Sequence, residues 1–358
     1  MKKNPENILV LNLGGLGDLL LCTPALRALR NHFPQSRIFL LAFSGSAGVV
    51  GFAGKKGEQL VHEIICADGI GGIRPVSGSS GGSCAGMLRL IRYLRSKKPD
   101  VLINMRSIGS WSGSWKMACL CFAIGAGCRA GRNTAGRGWF FNVKLPETHF
   151  GDMHEVDYNI ELVKMLGVAK ADRTVFLQVD EEDRKHAEEF LSENGISGKD
   201  DIIGINPGGP PAKRWSLENF RAVAAHLHMK RKSRFIVTGA REEAELGNAF
   251  CNSGFPVVNA AGRTDIGTLI ALIERCRLYI TNDTGSMHLA AALGIPLVAL
   301  FGPGHINKFR PFCLETSCAV VYNKADCAPC ERRICDMRKC MESITPDDVI
   351  GAAEKLLE

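Results

Sequence analysis

A chain of 358 residues is too long for one ordinary hydrophobic core and predicts two domains of roughly 150 to 200 residues each. Its apolar fraction of 46% and charged fraction of 23% are typical of a globular protein in water. No window holds the roughly 20 apolar residues of a membrane span, and the N-terminal stretch does not resemble a signal peptide. We therefore expect a cytoplasmic protein.

The formal net charge of +7 is concentrated in the first half of the chain. Residues 1–175 hold 22 Lys and Arg against 12 Asp and Glu, about +10, whereas the remainder holds 22 against 25, about −3. A basic half suggests an anionic partner, such as a phosphorylated lipid head group or a membrane surface. The alternative is a solvated face with surplus lysine. Nucleic acid is not expected as a partner.

Strand and helix patterns alternate through the first half. Each short apolar run, of the length expected for a buried strand, precedes a loop or a stretch with helical spacing. The predicted strands are 8–13, 37–42, 61–66 and 101–105, and the predicted helices are 19–33, 87–95 and 117–124.

Two stretches of the first half have no periodicity and predict loops. Residues 68–84 are rich in Gly and Ser, and residues 127–138 carry Arg129, Arg132 and Arg137. We expect these two loops to shape the binding site of the basic half.

The pattern breaks at residues 169–178, a candidate linker, and then restarts. Repeated strand–helix units predict an α/β protein with two Rossmann-like domains, whose mainly parallel sheets face a central cleft. The expected domains are 1–172 and 173–345, and a terminal helix at 346–358 could pack back on the N-terminal domain or stay with the second. Predicted strands of the second half are 202–206, 235–238, 278–281 and 297–301, and predicted helices are 217–229, 242–251, 265–276 and 287–293.

Ligands of open parallel sheets bind beyond the carboxyl ends of the strands, so the strand-to-helix loops are the places to search. In the first loop, Gly14, Gly15 and Gly17 permit a tight turn, and Asp18 stands at the start of a helix pattern. Asp18 could be an N-cap or a carboxylate aimed into the cleft. Leu20 stands where the dinucleotide fingerprint has its third glycine, which disfavours an NAD site.

The second loop has the sequence NPGGPPAKRWSLENF. Ser216 is a candidate cap for the helix that follows, and Lys213 and Arg214 lie just before its N-terminus. Free backbone N–H groups, the helix dipole and a lysine at one place make a phosphate site. The alternative is a pair of solvated charges.

The third loop ends a strand with Asp283, Thr284 and Gly285. Gly285 would let backbone N–H groups approach a diphosphate, and Asp283 could accept hydrogen bonds from sugar hydroxyls or simply cap the helix. His288 lies near the helix start, where it could face the cleft or be structural.

Together these loops resemble the heptosyltransferase family, glycosyltransferase family 9. The resemblance is strongest in the segments GGLGDLLLCTPALRALR, PAKRW and NDTGSMHLAAALGIPLVALFGP. It implies a GT-B fold, with the acceptor bound mainly by the first domain and the nucleotide-sugar donor mainly by the second. The implied reaction is inverting transfer of heptose from ADP-heptose to a lipopolysaccharide core or related anionic glycolipid. No cofactor is required, and peripheral association with the inner face of the cytoplasmic membrane is expected.

The resemblance also assigns roles to the candidate residues. Asp18 matches the general base that takes the proton of the acceptor hydroxyl. Glu243 aligns best with an acidic residue near the donor nucleoside, although Glu242 is a close competitor and either could be a first-turn helix charge. The other donor contacts are Lys213, Arg214, Thr284 and Gly285 at the diphosphate, and Asp283 and His288 at the sugar.

A cysteine motif, C-x2-C-x4-C-x4-C, fits the resemblance less easily. It comprises Cys327, Cys330, Cys335 and Cys340. Four thiolates could hold zinc or an iron–sulfur cluster, but the usual pair of CxxC motifs is absent. We expect no metal site.

Three alternatives remain open. One is a transferase of the same fold that uses another sugar nucleotide, and one is a nucleotide-sugar epimerase, which needs no external acceptor. The third is a non-catalytic protein that binds a sugar nucleotide or a lipid. Such a protein would be expected to lack the base or the lysine, and both are present.

Overall fold

The chain forms two compact units, Met1–Val175 and Phe176–Glu358. The computed structural model describes residues 4–53, 58–68, 84–175, 177–313 and 316–358. The boundary lies inside the expected linker and three residues after the expected end of the first domain. The predicted loop at 68–84 lies mostly outside the described residues.

The first unit is a six-stranded parallel sheet with the order β3-β2-β1-β4-β5-β6. The central strands β1 and β4 are buried and pair in the register Val10 to Ile103. The strands are β1 Asn7–Leu11, β2 Arg37–Ala42, β3 Glu63–Cys66, β4 Val101–Asn104, β5 Cys128–Thr134 and β6 Val143–Glu147. The helices are α1 Leu16–Leu20, α2 Thr23–His32, α3 Ser44–Ala47, α4 Cys84–Ser96, α5 Trp111–Ile124 and α6 Glu155–Lys164.

The second unit repeats this topology. Its six parallel strands have the order β12-β11-β10-β7-β8-β9, which is the order of the first sheet read from the other edge. The strands are β7 Ile202–Asn206, β8 Arg234–Val237, β9 Val257–Asn259, β10 Leu278–Asn282, β11 Leu297–Phe301 and β12 Cys318–Tyr322. The helices are α7 Glu181–Glu193, α8 Leu217–Arg231, α9 Ala244–Cys251, α10 Ile266–Glu274, α11 Gly285–Leu293, α12 Ile306–Phe309, α13 Lys339–Glu342 and α14 Pro346–Leu357.

Local sequence determines where the helices begin and end. The Ser216 hydroxyl accepts a hydrogen bond from Asn219 N at 3.1 Å, which confirms the predicted cap of α8. Thr345 and Asp348 form a capping box at the start of α14. Gly125 and Gly294 end α5 and α11 in the left-handed conformation that glycine adopts without strain.

The terminal helix packs within the second unit. Its apolar residues Val349, Ala353 and Leu357 are buried in the same core as Phe220 of α8. Its apolar stripe is covered by α8 and the neighbouring strands, so of the two alternatives these contacts fit the one in which the helix stays with the second unit.

Several elements differ from the sequence-based prediction. The single helix predicted over 19–33 is two helices, α1 and α2, interrupted at residues 21–22. The stretch 127–138, predicted as a loop, contains strand β5, which pairs with β4, and Phe141 packs closely over its Gly131. Edge strand β6 was not predicted, since VKLPE carries a proline that a central strand would not tolerate.

None of the helices in the described part of the chain combines the length and the apolar composition required to cross a membrane. Even the 15-residue α8 is shorter than the roughly 20 residues that a span needs.

The three arginines of residues 127–138 stabilise the first unit rather than line a loop. Arg132 is fully buried and donates to both carboxylate oxygens of Glu155 at 2.8 Å and to Asn159 Oδ1 at 2.7 Å. Arg129 donates to the carbonyl oxygen of Phe140 at 3.3 Å, and Arg137 donates to that of Ile108 at 2.5 Å. The bidentate pair therefore ties strand β5 to helix α6.

Replacing Arg132 by Ala should lower the free energy of unfolding of the chain by about 3 to 5 kcal/mol, because the buried Glu155 carboxylate loses its guanidinium. Urea denaturation of the purified protein measures the change. Lys164→Ala is the control, since it breaks a pair with Glu161 whose side chains are both 44% exposed, and it should cost less than about 1 kcal/mol. Equal losses in the two variants would contradict the assignment.

Candidate functional site

Both sheets reverse their strand order between two central strands, and polar residues cluster beyond these strands. In the first unit the reversal lies between β1 and β4, and in the second between β7 and β10. Connections leave such a pair in opposite directions, which opens a crevice at the carboxyl ends of the strands. The loops that carry Asp18, Lys213 and Asp283 all begin at these ends.

In the first unit, Asn12 shapes the loop after β1. Its side-chain oxygen accepts a hydrogen bond from Gly14 N at 3.2 Å, and its amide nitrogen donates to the Asp18 carbonyl oxygen at 3.1 Å. An asparagine that binds the backbone two residues on stabilises a tight turn. The turn places α1 directly above the end of the strand.

Asp18 is the third residue of α1 and not its N-cap, which is Gly15; its carboxylate contributes to the cap from the third position, as in a capping box. One carboxylate oxygen accepts a hydrogen bond from Gly15 N at 3.0 Å, and the other forms an ion pair with Arg106 Nη1. The side chain is nevertheless 19% exposed. Asp18 is thus a fixed carboxylate that a small solute can still reach.

Arg106 was not identified from the sequence. It follows β4, and Asn104 holds it by donating to its carbonyl oxygen at 2.7 Å. Burial alone would lower the pKa of the Arg106 guanidinium, but the carboxylates of Asp18 and Glu155 raise it above its ordinary value. Arg106 meets Asp18 because β1 and β4 are neighbours in the sheet. No local pattern of the sequence shows this order of the strands.

The second unit repeats the asparagine turn. Asn206 ends β7 and accepts a hydrogen bond from Gly208 N at 2.9 Å. Asn282 ends β10, accepts from Trp215 N at 3.1 Å and donates to the Gly208 carbonyl oxygen at 3.0 Å. The signal for this arrangement was present in the sequence as the paired segments LNLGG and INPGG, and it went unnoticed.

Lys213 and Asp283 lie together at this end of the second sheet. Lys213 Nζ is 2.5 Å from Asp283 Oδ2, and their side chains are only 17% and 7% exposed. A Cβ atom on Gly304 would lie 2.4 Å from the same carboxylate oxygen. Three loops therefore enclose this pair, and the glycine allows the third loop to approach.

Arg214 and Glu243 brace the loop after β7. Arg214 Nε donates to the Gly209 carbonyl oxygen at 2.7 Å, and Glu243 Oε1 accepts from Gly209 N at 2.6 Å. Glu243 Oε2 also accepts from Ala240 N at 2.9 Å, whereas Glu242 is exposed. Of the two glutamates, Glu243 is the one that belongs to this cluster of loops.

The N-terminus of α11 lies beside the same loop. Thr284 is its N-cap, and Gly285 is the first helical residue. The Thr284 hydroxyl lies 2.9 Å from Ser286 Oγ, and its methyl group would be 2.9 Å from a Cβ atom on Gly209. His288 is buried in α11, only 6% exposed, and is not a surface side chain.

The cysteine motif packs over these loops. The backbone N–H groups of Cys330 and Glu331 donate to the Pro303 carbonyl oxygen at 3.0 Å, and Glu331 Oε1 accepts from His305 N at 2.9 Å. Ala212 N donates to the Arg333 carbonyl oxygen at 3.1 Å. The segment therefore holds two loops of the site through its backbone.

The four cysteines of the motif differ in exposure. Cys340 is buried, which raises the pKa of its thiol, whereas Cys327 and Cys330 are exposed and Cys335 is half-buried. Within the described ranges, no three His, Cys, Asp or Glu side chains are grouped so that they could hold a metal ion.

Two Rossmann-like units in tandem, each with a polar crevice at its strand reversal, place the chain in the class of α/β proteins with the GT-B architecture. A family model described as glycosyltransferase family 9 (heptosyltransferase) matches residues 87–341, which is more than half of the chain. The chain belongs to this family.

Individual relatives agree with this placement. Lipooligosaccharide heptosyltransferase 2 from Campylobacter jejuni is 36% identical over 166 residues, 44% of this chain and 51% of that protein. The match thus spans about half the length of this relative.

Solved structures extend the similarity over the whole chain. A glycosyl transferase family 9 protein from Veillonella parvula is 26% identical with a TM-score of 0.76, covering 100% of this chain and 98% of that one. The Escherichia coli heptosyltransferase WaaC, solved with ADP-2-deoxy-2-fluoro heptose, is 19% identical with a TM-score of 0.66, covering 98% and 99%. At that identity the likeness to WaaC is one of fold.

Gly14 is required by the close approach of its backbone to Asp18. A Cβ atom at this position would lie 2.6 Å from Asp18 Cβ and 2.9 Å from Asn12 Oδ1. Gly14→Ala should therefore lower the free energy of unfolding by about 1 to 3 kcal/mol, because the turn must open.

Urea denaturation measures this loss, and Gly51→Ala serves as the control. Among the residues that the structure describes, no atom beyond the local backbone lies within 4 Å of a Cβ at Gly51, so that variant should stay within about 0.5 kcal/mol of the wild type. Full stability of Gly14→Ala would show that the turn tolerates a side chain.

Proposed function

We propose that the protein is an inverting glycosyltransferase that transfers heptose from ADP-heptose to a lipopolysaccharide core or related anionic glycolipid. The observation that carries the proposal is the Asp18 carboxylate, fixed by Gly15 N and Arg106 at the strand reversal and still open to solvent. A general base must be held in place and must also reach its substrate, and Asp18 meets both conditions.

The first unit binds the acceptor in this proposal. Asp18 takes the proton of the acceptor hydroxyl as that oxygen attacks the anomeric carbon, and the bond from this carbon to the diphosphate breaks. Attack from the face opposite the leaving group inverts the configuration. A positioned carboxylate contributes about 10²- to 10⁴-fold to such a step.

The second unit binds the donor in this proposal. In this arrangement the leaving diphosphate would gain charge beside Lys213 and the N-terminus of α11, where Thr284 and Gly285 lie. Arg214 adds a second positive charge to the loop. Because these groups already supply positive charge, the proposed reaction requires no metal ion and no other cofactor.

Further donor contacts are proposed for the remaining residues of the site. Asp283 accepts hydrogen bonds from sugar hydroxyls, and Glu243 lies towards the nucleoside. Buried His288 supports the loop from within α11. Gly14, Gly15 and Gly17 keep the Asp18 loop close to the strand end.

The names of two related proteins support the choice of substrates. The Campylobacter relative is named a lipooligosaccharide heptosyltransferase, and WaaC was solved with an ADP-heptose analogue. The surplus of positive charge in residues 1–175 suits an anionic glycolipid. Such an acceptor would place the protein in the cytoplasm, in peripheral contact with the inner face of the membrane.

Two alternatives have distinct signatures. A transferase that uses another sugar nucleotide would bind a UDP-, GDP- or different ADP-sugar more tightly than ADP-heptose in calorimetry. A non-catalytic binding protein would bind its ligand without releasing ADP when acceptor is added. Acceptor-dependent release of ADP from ADP-heptose is the result that supports the proposal.

Replacing Asp18 by Asn should lower the rate of heptose transfer about 100-fold or more, because the amide cannot take the acceptor proton. Binding of ADP-heptose, measured by calorimetry, should change by less than about twofold, since Asp18 acts on the acceptor. Transfer is followed as ADP released from ADP-heptose in the presence of acceptor.

Asp157→Asn is the matched control for this experiment. Asp157 lies in the same unit and pairs with Arg173 at 2.7 Å rather than with a residue of the loop after β1, so its variant should keep the wild-type rate. An Asp18→Asn rate above about a tenth of the wild type would refute the assignment of the base.

Lys213→Ala should weaken ADP-heptose binding by about 1.5 to 3 kcal/mol, or about 10- to 150-fold. The variant loses a contact to the diphosphate and leaves the negative charge of Asp283 beside it. Calorimetry gives the affinity, and Lys230→Ala is the control because Lys230 pairs with Glu354 on the surface of the same unit. Unchanged affinity in Lys213→Ala would remove this lysine from the donor site.

A further inference from the structure

Helix α5 carries apolar residues on two opposite sides. Ala118, Cys121 and Ile124 pack into the core of the first unit. Trp111, Trp115 and Phe122 lie on the other side and are 57%, 60% and 53% exposed. Their spacing of four and seven residues places all three in one stripe along the helix. Within α5 only Lys116 is charged, so the exposed side of this helix is not an ordinary solvated face.

Trp139 extends this stripe into a continuous aromatic surface. Its ring lies 5.1 Å from that of Trp115 and 6.5 Å from that of Phe122, and it remains 40% exposed. We call Trp111, Trp115, Phe122 and Trp139 the aromatic face. The chain has four tryptophans, and three of them are in this face, whereas Trp215 is buried. Contiguous exposed apolar surface of this kind marks a contact with a partner.

Positive charge surrounds the aromatic face. The Arg129 guanidinium lies 5.0 Å from the centre of the Phe122 ring, Lys116 follows Trp115 on the helix, and Arg95 donates to the Ala123 carbonyl oxygen. Residues 84–146 contain eleven Lys and Arg against one acidic residue, Asp100, and of these cations Arg132 is buried against Glu155 and Arg106 pairs with Asp18. A symmetric contact between two copies would bring these cations together, which disfavours self-association. The charge complements an anionic surface.

We propose that the aromatic face docks the protein on an anionic lipid bilayer, with the tryptophan rings at the level of the head groups. Tryptophan is enriched at the boundary between water and membrane because its ring is apolar and its N–H is polar. The surrounding Lys and Arg add attraction to anionic lipids. The inference deepens the proposed function, on which it rests, because a glycolipid acceptor lies in such a membrane.

The position of α5 gives this docking a consequence for the site. Helix α5 begins five residues after Arg106, and Arg106 and α5 both follow strand β4. Arg106 is the residue that pairs with Asp18. Trp111, in the first turn, is therefore close along the chain to Arg106, whose side chain holds the carboxylate of the proposed base. Docking would bring this carboxylate to the depth at which the sugars of a membrane glycolipid emerge.

Co-sedimentation with vesicles tests the proposal. The full chain is mixed with vesicles of equal parts phosphatidylethanolamine and phosphatidylglycerol, or with phosphatidylcholine vesicles, in the absence of donor and acceptor. We expect binding to the anionic vesicles that weakens as salt is raised, because charge attraction is screened. The double variant Trp115→Ser, Phe122→Ser should lower the apparent partition coefficient about tenfold or more.

Met229→Ser is the matched control. Met229 is the most exposed apolar side chain of α8 in the second unit, at 74%, so its loss removes exposed apolar surface outside the aromatic face. This variant should bind like the wild type. If the double variant fails to fold, Trp111→Ser, whose ring stands at the end of the stripe, replaces it and should also weaken binding.

Tryptophan emission provides a second measurement. Three of the four tryptophans leave water on docking, so emission of the wild type should shift to shorter wavelength with anionic vesicles and not with phosphatidylcholine. The proposal is overturned if the wild type stays in the supernatant with anionic vesicles at low salt, or if the double variant sediments as well as the wild type. A wild-type dimer that the double variant dissociates, without vesicle binding, would instead assign the face to a second copy.

This test is independent of the proposed reaction. The vesicles contain no glycolipid and no sugar nucleotide, so binding does not require transfer. Calorimetry with ADP-heptose decides the donor separately. Vesicle binding without binding of ADP-heptose would refute the proposed function alone. Binding of ADP-heptose without vesicle binding would refute only the membrane contact of the aromatic face.

Discussion

The structure depends on how two neighbouring parallel strands end. Where the order of a sheet reverses, no helix crosses above the strand ends, and the backbone groups there need other partners. Asparagine side chains supply them in both units: Asn12 and Asn206 each accept the N–H two residues on, and Asn282 bridges two loops. A glycine follows each of these two asparagines by two residues, because a Cβ atom at Gly14 or Gly208 would collide with a neighbouring side chain. One local solution, used twice, creates both crevices.

The two crevices hold their charges differently. Asp18 is paired with Arg106 but stays partly open, whereas Lys213 and Asp283 are almost enclosed. Taking two charges out of water costs about as much as their attraction returns, so an enclosed pair adds little stability. The enclosed pair accords with the proposed donor site, in which Lys213 would lie beside the diphosphate and Asp283 would hold the lysine in position until the donor binds. Glu243 holds the loop after β7 in position, since its carboxylate accepts hydrogen bonds from the backbone N–H groups of Gly209 and Ala240.

The sequence predicted the architecture and the loops, but not the contacts between distant strands. Alternating apolar runs and helical spacing were sufficient to predict the α/β fold, because the pattern of apolar residues within one element shows which of its faces is buried. The structure confirms this fold. Arg106 could not be placed, since its partner Asp18 is 88 residues earlier and meets it only through the order of β1 and β4. Arg132 was misread for the same reason: its glycine-rich surroundings indicate a loop, and only the tertiary structure reveals Glu155 beneath it. The roles of Asp18, Lys213 and Glu243 stay predictions.

Strand β4 connects the two proposed activities of the first unit. It ends in Asn104, which fixes Arg106 and through it the Asp18 carboxylate, and a short loop then leads into α5 with its aromatic face. A helix that only had to cover the sheet would carry apolar residues on one side, as α14 does. Because α5 is anchored to the same strand as the Asp18 pair, the membrane contact and the proposed base would be held in fixed relation by the rigid core of one unit. A fixed distance between the membrane contact and the base matters for an acceptor anchored in lipid, because its reacting hydroxyl is confined to a narrow range of heights above the bilayer. An acceptor free in solution would not impose this requirement.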